Sequence, residues 1–298
     1  MKIGLQINRF DWPDAPDGIG PALARYARLA DEAGFDSIWV MDHFFQIRGL
    51  GPADDPMLEG WTTLGFLAAA TRRARLGLLV GGVHYRAPGL WVKAATTLDV
   101  LSGGRGTLGI GAAWNEEESV ALGFDFPPLA ERFEMLEETL RIAHAMWSGP
   151  RGTEEAFEGA RYRAGRLLNA PQSLSRPRPP IMIGGGGERK TLLLVARYAD
   201  ACNVFGGPAQ VAHKYAVLRE HCDAVGRPYD EIERTNLQAG RLSQDVADGG
   251  RTPEAFLEDL AALAEAGVQH VILGVPARDV ERWIDLVGER VIPRARSL

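Results

Sequence analysis

The chain reads as an α/β protein of the (β/α)8, TIM-like barrel class, and three observations predict it. Short β-rich runs alternate with amphipathic helical patterns along nearly the whole sequence, as parallel strands with crossover helices do; about eight such units can be counted. The length of 298 residues, with 46% hydrophobic and 24% charged residues, suits one barrel with its ring of helices, and no long Ser/Pro/Gly linker divides it. Polar residues also follow several apolar runs without an intervening turn, and strand carboxyl ends are where such folds keep their chemistry.

The first strand is predicted at 2–7, where Lys2-Ile3-Gly4-Leu5-Gln6-Ile7 begins the pattern at once. The second, 37–41, is Ser37-Ile38-Trp39-Val40-Met41, and it runs directly into Asp42 and His43. Further strands are expected at 75–81, 106–111, 180–184, 200–204, 232–238 and 270–274. Helical periodicity is longest where Leu129, Phe133, Leu136, Leu140, Ala143 and Trp147 recur at four- and three-residue steps between Glu131, Glu134, Glu137 and Arg141. Leu257, Leu260, Leu263 and Ala264 mark another helix, ended by Gly267 before the last strand. Residues 148–180 break the rhythm with proline- and glycine-rich segments, which predicts an insertion after the fourth helix. A small hairpin lid and a proline-spaced surface segment both fit it. The expected organisation is a single domain over 1–298.

A formal net charge of −6 argues against nucleic acid or anionic lipid as the main partner. Cys202 and Cys222 have neither CxxC nor histidine spacing, so no metal site and no redox motif is expected. No long apolar run resembles a signal or membrane segment, and a soluble cytoplasmic protein is the expectation.

His43 carries the side chain whose ordinary pKa lies nearest working pH, which suits proton transfer beside a redox partner; Asp42 is placed to orient it or to hold a neighbouring loop. Alone, the pair also fits a capping aspartate beside a surface histidine. The third strand continues through Leu79-Val80-Gly81-Gly82, where paired glycines permit a flat ring to approach or simply serve the backbone. The fourth ends in small residues followed by Trp114, Asn115 and Glu116: Trp114 suits a cavity wall, and Asn115 suits either a cofactor hydroxyl or a helix cap. After the fifth strand, Gly184, Gly185, Gly186 and Gly187 lead through Glu188, Arg189 and Lys190 into a helical pattern. Exposed backbone N–H groups at a helix start, with Arg189 adding charge, make a phosphate cradle, although neither Walker nor Rossmann spacing is present and a ligand-free glycine loop fits too.

Several separated segments together resemble the luciferase-like monooxygenase family, and within it the bacterial oxidoreductases that use the deazaflavin coenzyme F420. They are Gly34 to His43, Asp55-Pro56-Met57-Leu58-Glu59, Leu101-Ser102-Gly103-Gly104-Arg105, the GIGAAWNEEE segment, Arg132-Phe133, and IMIGGGGERKT followed by Ala199-Asp200. The resemblance covers nearly the full chain. It implies a bacterial-luciferase-like barrel with the cofactor at the strand carboxyl ends, a bulge in strand three with a non-proline cis peptide at Leu79-Val80, and commonly a homodimer. It places the phosphate loop at the glycine run and Arg189, and makes His43 the proton donor or acceptor. Ala113 stands where the branch commonly has glycine, which leaves ring placement before Trp114 less defined.

The leading functional expectation is hydride transfer between coenzyme F420 and a small-molecule organic substrate. A two-component monooxygenase on reduced FMN, supplied by a separate reductase, is the alternative with the same fold. A flavoprotein or deazaflavin carrier without turnover is the alternative of another class. An aldolase-type barrel enzyme would want a strand-end lysine or a metal cluster, and none of Lys2, Lys93, Lys190 and Lys214 fits that role.

Overall fold

In the computed structural model, which describes residues 1–240, 242–243 and 250–298, the eight strands form one closed parallel sheet. These are β1 (Lys2–Ile7), β2 (Ser37–Val40), β3 (Arg75–Leu78), β4 (Gly106–Gly111), β5 (Ile181–Gly184), β6 (Ala201–Val204), β7 (Glu233–Gln238) and β8 (His270–Gly274). Each pairs with the next, and β8 returns to β1 in register from Lys2↔His270 to Gln6↔Gly274. Closure leaves no sheet edge to protect, and it sends every connecting loop to one of two ends.

The ring outside is built from α1 (Ile19–Ala33), α2 (Gly60–Ala70), α3 (Pro88–Leu101), α4 (Glu116–Ala121), α5 (Leu129–Met146), α6 (Thr191–Tyr198), α7 (Pro208–Val225), α8 (Pro253–Glu265), α9 (Val280–Leu286) and α10 (Ile292–Ala295). Local chemistry sets the boundaries. Thr252 caps α8 by accepting from the Ala255 N–H, Pro253 occupies the first turn, and Gly267 at φ 96° turns the chain toward β8. The predicted stripe on α5 buries Leu136, Leu140 and Ala143 against the barrel; each buried leucine contributes about 1.5–3 kcal/mol relative to exposure. Inside the barrel a second, smaller cluster of Trp39, Leu79, Met182, Ala201 and Ile272 separates the two ends. No helix among the described residues is long and apolar enough to cross a membrane.

The third strand differs from the continuous 75–81 expected. Pairing with β4 stops after Gly77↔Thr107 and resumes at Gly81↔Ile110, so four steps on one strand face three on the other. This is a bulge, and the peptide Leu79-Val80 within it is cis. The glycines around it make room for protein rather than leaving a gap: a side chain at Gly109 would lie 1.8 Å from the Leu78 carbonyl oxygen. One at Gly184 would meet Val80 at 2.6 Å, one at Gly81 would meet Trp91 at 2.3 Å, and one at Gly82 would meet Tyr85 at 2.8 Å.

Residues 148–180 contain a hairpin, in which Gly152–Thr153 pairs antiparallel with Leu167–Leu168 and Phe157–Glu158 with Arg163–Ala164. It is strapped along α5. Arg161 reaches Glu131 and Glu134, both at 2.7 Å, and the buried Glu138 carboxylate accepts from the backbone N–H groups of Ala160, Arg161 and Tyr162. Asp99 at the end of α3 accepts from Leu174 and Ser175 as the chain returns. These bonds hold the hairpin to the flank of the helical ring.

Candidate active site

At the carboxyl end of β2 the two polar residues take separate directions. His43 turns its Nδ1 to Glu118 Oε1, 3.0 Å away on α4. The other Glu118 oxygen accepts from the backbone N–H groups of Phe44 and Phe45 at 2.6 and 2.7 Å, and the Tyr85 hydroxyl donates to Oε1 at 2.5 Å. Glu118 is 1% exposed, so burial raises its pKa; the bond from His43 and the N–H of Phe45 outweigh that and hold it below the ordinary carboxylate value. An ionised acceptor fixed on Nδ1 places the neutral imidazole's proton there. Nε2 is left as the basic nitrogen, without a protein partner among the described residues.

Asp42, expected as a possible orienter of the imidazole, has no bond to it. Its carboxylate forms a two-point pair with Arg86 at 2.7 and 2.8 Å and accepts from the Gly82 N–H at 3.2 Å. Arg86 also donates to Glu59 Oε1 at 2.6 Å, and Glu59 caps α2 through the N–H groups of Trp61 and Thr62. Burial holds the Asp42 carboxyl above its ordinary value, and the Arg86 guanidinium, itself held above its own, opposes that shift. Asp42 therefore positions the strand-three bulge and the loop into α2.

Trp114 stands over the histidine. The residue is 64% exposed, and its ring lies edge-on to His43 with centroids 5.5 Å apart. Asn115 is the N-cap of α4, with Oδ1 facing the Glu118 N–H at 3.5 Å, so the cap reading of this residue is realised. Ala113 sits at φ 62°, a left-handed conformation that glycine adopts more readily. Arg132 supports the turn by donating to the carbonyls of Ala112 and Ala113 at 2.8 and 2.5 Å. His84, beside it, bonds Ser119 Oγ at 2.8 Å; burial, and then the Arg132 charge, depress its pKa to about 4.

The glycine run forms a separate arm of the mouth. The Gly185 N–H is taken by Asn203 O at 2.9 Å, while those of Gly186 and Gly187 have no partner among the described residues just ahead of α6. Gly185 adopts φ 118°, which requires glycine. Arg189 is exposed and has no partner among the described residues. Glu188, grouped with these residues in the sequence, instead turns its carboxylate to Lys214 and His213 on α7, at 2.6 and 3.0 Å. Leu79 is 8% exposed and its carbonyl accepts from Gln6 Nε2 at 3.2 Å, so the bulge backbone is tied to β1.

Free N–H donors beside a long cationic side chain at one arm suit an anionic group such as a phosphate, and an imidazole nitrogen without a partner at the other suits proton transfer. Tyr85 and Arg86 are site residues that sequence reasoning gave no role, and Glu118 and Arg132 lie in segments that carry the resemblance but were given no role of their own. The one signal for Glu118 was its place three residues after Asn115, where a cap and an inward-facing acid look alike.

A family model described as luciferase-like monooxygenase matches residues 5–239. An F420-dependent glucose-6-phosphate dehydrogenase of Beutenbergia cavernae is 37% identical over 328 residues, covering 92% of this chain and 93% of that protein. A protein of the same name from Nakamurella multipartita is 28% identical over 348 residues, covering 97% of each. Among solved structures, an F420-dependent secondary alcohol dehydrogenase in complex with an F420-acetone adduct superposes with a TM-score of 0.85 at 18% identity over 99% of both chains, a likeness of fold.

Proposed function

This chain belongs to the luciferase-like monooxygenase family, and on that premise we propose that it is an oxidoreductase that uses coenzyme F420 on a small organic substrate, with His43 handling the proton. The observation that carries the reading is the environment of His43: Nδ1 locked to a buried, ionised Glu118 and Nε2 free beside an exposed Trp114. Support for the cofactor comes from relatives named as F420-dependent and from the unpaired N–H groups of Gly186 and Gly187 next to Arg189.

The deazaflavin, when bound, supplies a two-electron hydride acceptor or donor that reacts poorly with oxygen. The glycine loop and Arg189 would hold its phosphate, and His43 with Trp114 beside it would line the space next to its reactive part. His43 Nε2 takes the hydroxyl proton when an alcohol is oxidised and returns it when a carbonyl is reduced. Glu118 stabilises the imidazolium formed in the first case and keeps the ring turned the same way in the second. Tyr85 steadies Glu118 without moving a proton, because burial and the neighbouring carboxylate push its own pKa well above the ordinary value.

Side-by-side fluorescence titration of the purified protein with coenzyme F420 and FMN tests the cofactor. F420 is expected to bind at least about tenfold tighter, and a preference for FMN overturns the assignment in favour of a two-component monooxygenase. His43→Ala is expected to slow single-turnover hydride transfer by about 100-fold or more while leaving F420 affinity within about threefold. Unchanged turnover removes the role given to His43.

A further inference from the structure

The link between β4 and α4 runs from Ala112 to Asn115, and Ala113 is the one residue in it with a positive φ, 62°. An alanine in that conformation brings its Cβ against the following carbonyl, at a cost in free energy that glycine does not meet. The clamp that keeps it there lies on α5. Arg132 is 7% exposed; its Nη1 donates to both Ala112 O and Ala113 O, and its Nε donates to Pro127 O at 3.0 Å. The guanidinium lies 4.0 Å from the centre of the Phe126 ring, and no carboxylate among the described residues pairs with it. The Ala113 methyl comes close to the strand-three bulge, where a Cβ at Gly82 would stand 3.2 Å from it.

We infer that Arg132 and Ala113 are positioning residues for Trp114: the guanidinium holds a strained alanine left-handed, and that turn sets the indole beside His43. Trp114 is the next residue along the chain, so the sign of φ at Ala113 decides from which side of the link its side chain departs. The side chain does little to hold itself. It is largely exposed, its indole N–H has no protein partner among the described residues, and its ring contact is the edge-on one to His43. The place of the ring is therefore set by the backbone. Strain of this kind persists where neighbours over-determine the backbone, and such places gather at active sites. The consequence for turnover rests on the proposal that His43 handles the proton; the placing of the two rings does not.

A strained residue and its clamp make a prediction that ordinary packing does not. Without Arg132 the alanine relaxes out of the left-handed region and carries Trp114 away from His43. A glycine at the same position adopts that region unaided, so Ala113→Gly makes the clamp partly dispensable. Loss of Arg132 and its repair by Ala113→Gly are thus coupled, as two residues serving one turn must be.

The imidazole signals of His43 are followed by NMR in the full chain without cofactor, with Trp114→Ala giving their position when the indole is gone. Arg132→Met is expected to move them at least halfway to that position and, in single turnover with coenzyme F420, to slow hydride transfer by about tenfold. The double variant Arg132→Met with Ala113→Gly is expected to recover at least half of both changes. Ala113→Gly alone should keep the His43 signals near the parent's and unfold in urea no earlier than the parent. Arg132→Lys, which keeps the charge and loses the planar fork, is the milder variant and is expected to give a smaller shift in the same direction. An Arg132→Met chain that folds only with Ala113→Gly present gives the same answer. His43 signals unmoved by both changes at Arg132, or a shift that Ala113→Gly does not reduce, overturns the inference. Failure of F420 to bind strikes the cofactor assignment instead and leaves the cofactor-free comparison standing.

Discussion

At the scale of single residues, the proton transfer proposed for His43 turns on which imidazole nitrogen carries the proton, and the Glu118 contact at Nδ1 bears on that directly. In Glu118→Gln the amide oxygen is drawn to the Phe44 and Phe45 N–H groups, which both point at one carboxylate oxygen. The amide nitrogen then faces His43 Nδ1 and donates to it, moving the imidazole proton to Nε2. The variant is expected to lose about 10²–10³ in turnover with little change in cofactor affinity, and the histidine 15N spectrum shows the tautomer change directly. His84 makes a separate prediction. Its folded pKa, about 4, lies below the ordinary 6.5, so its neutral form contributes stability that is complete above pH 6.5 and is lost as pH falls from there toward 4. Urea unfolding of the parent should weaken over that interval, and His84→Gln should flatten the dependence. His43 is legible in the sequence because an apolar strand runs into it without a turn. Glu118 is not, because an acid in the first turn of a helix is already explained by capping, and only the folded chain shows it facing inward across to β2.

At the scale of elements, strand three carries the bulge and the cis Leu79-Val80 peptide that the resemblance implies. Of the two readings of its paired glycines the structure takes the backbone one, since Gly81 makes room for Trp91 and Gly82 for Tyr85. A sequence shows that side chains are missing and not which neighbour needs the room. The bulge is held from outside by Arg86, which ties Asp42 of the β2 end to Glu59 at the start of α2 and lies 4.8 Å over the Trp91 ring. Arg86→Met leaves the Asp42 carboxylate buried without its cation and is expected to cost about 3–5 kcal/mol in chemical denaturation. Asp42→Asn in the same background removes the stranded charge and should recover part of that loss. If the double variant is no more stable than Arg86→Met, the charge on Asp42 is not what Arg86 serves. The LSGGR segment illustrates the same limit: Arg105 donates to carbonyls of Ala68, Thr71, Ala74 and Ser102, stapling the end of α2 to the turn before β4, far from the mouth.

At the scale of the whole molecule, eight strands are legible because a strand buried in a parallel barrel is a short apolar run, and such runs stand out between amphipathic helices. Closure is legible through the count of eight alone; the register in which the last strand returns to the first is seen only in the fold. That contact is reinforced by polar groups at the amino ends. Lys2 at the start of β1 pairs with Glu233 at the start of β7 at 2.7 Å, across β8, whose His270 Nδ1 lies 3.6 Å from the same carboxylate. Burial raises the Glu233 pKa, but His270 and Lys2 outweigh it and bring the value to about 2, against an ordinary 4.5. A folded value below the unfolded one means stability that is complete above pH 4.5 and is lost as pH falls toward 2. With the carboxylate still partly open to solvent, its worth is roughly 1–3 kcal/mol. Glu233→Gln keeps the shape and abolishes the titration, so it is expected to be less stable than the parent at neutral pH and to approach it near pH 2. The measurement is denaturant unfolding at a series of acid pH values. Parallel curves for the two proteins across that range would show that barrel closure draws nothing from the Lys2–Glu233–His270 contact.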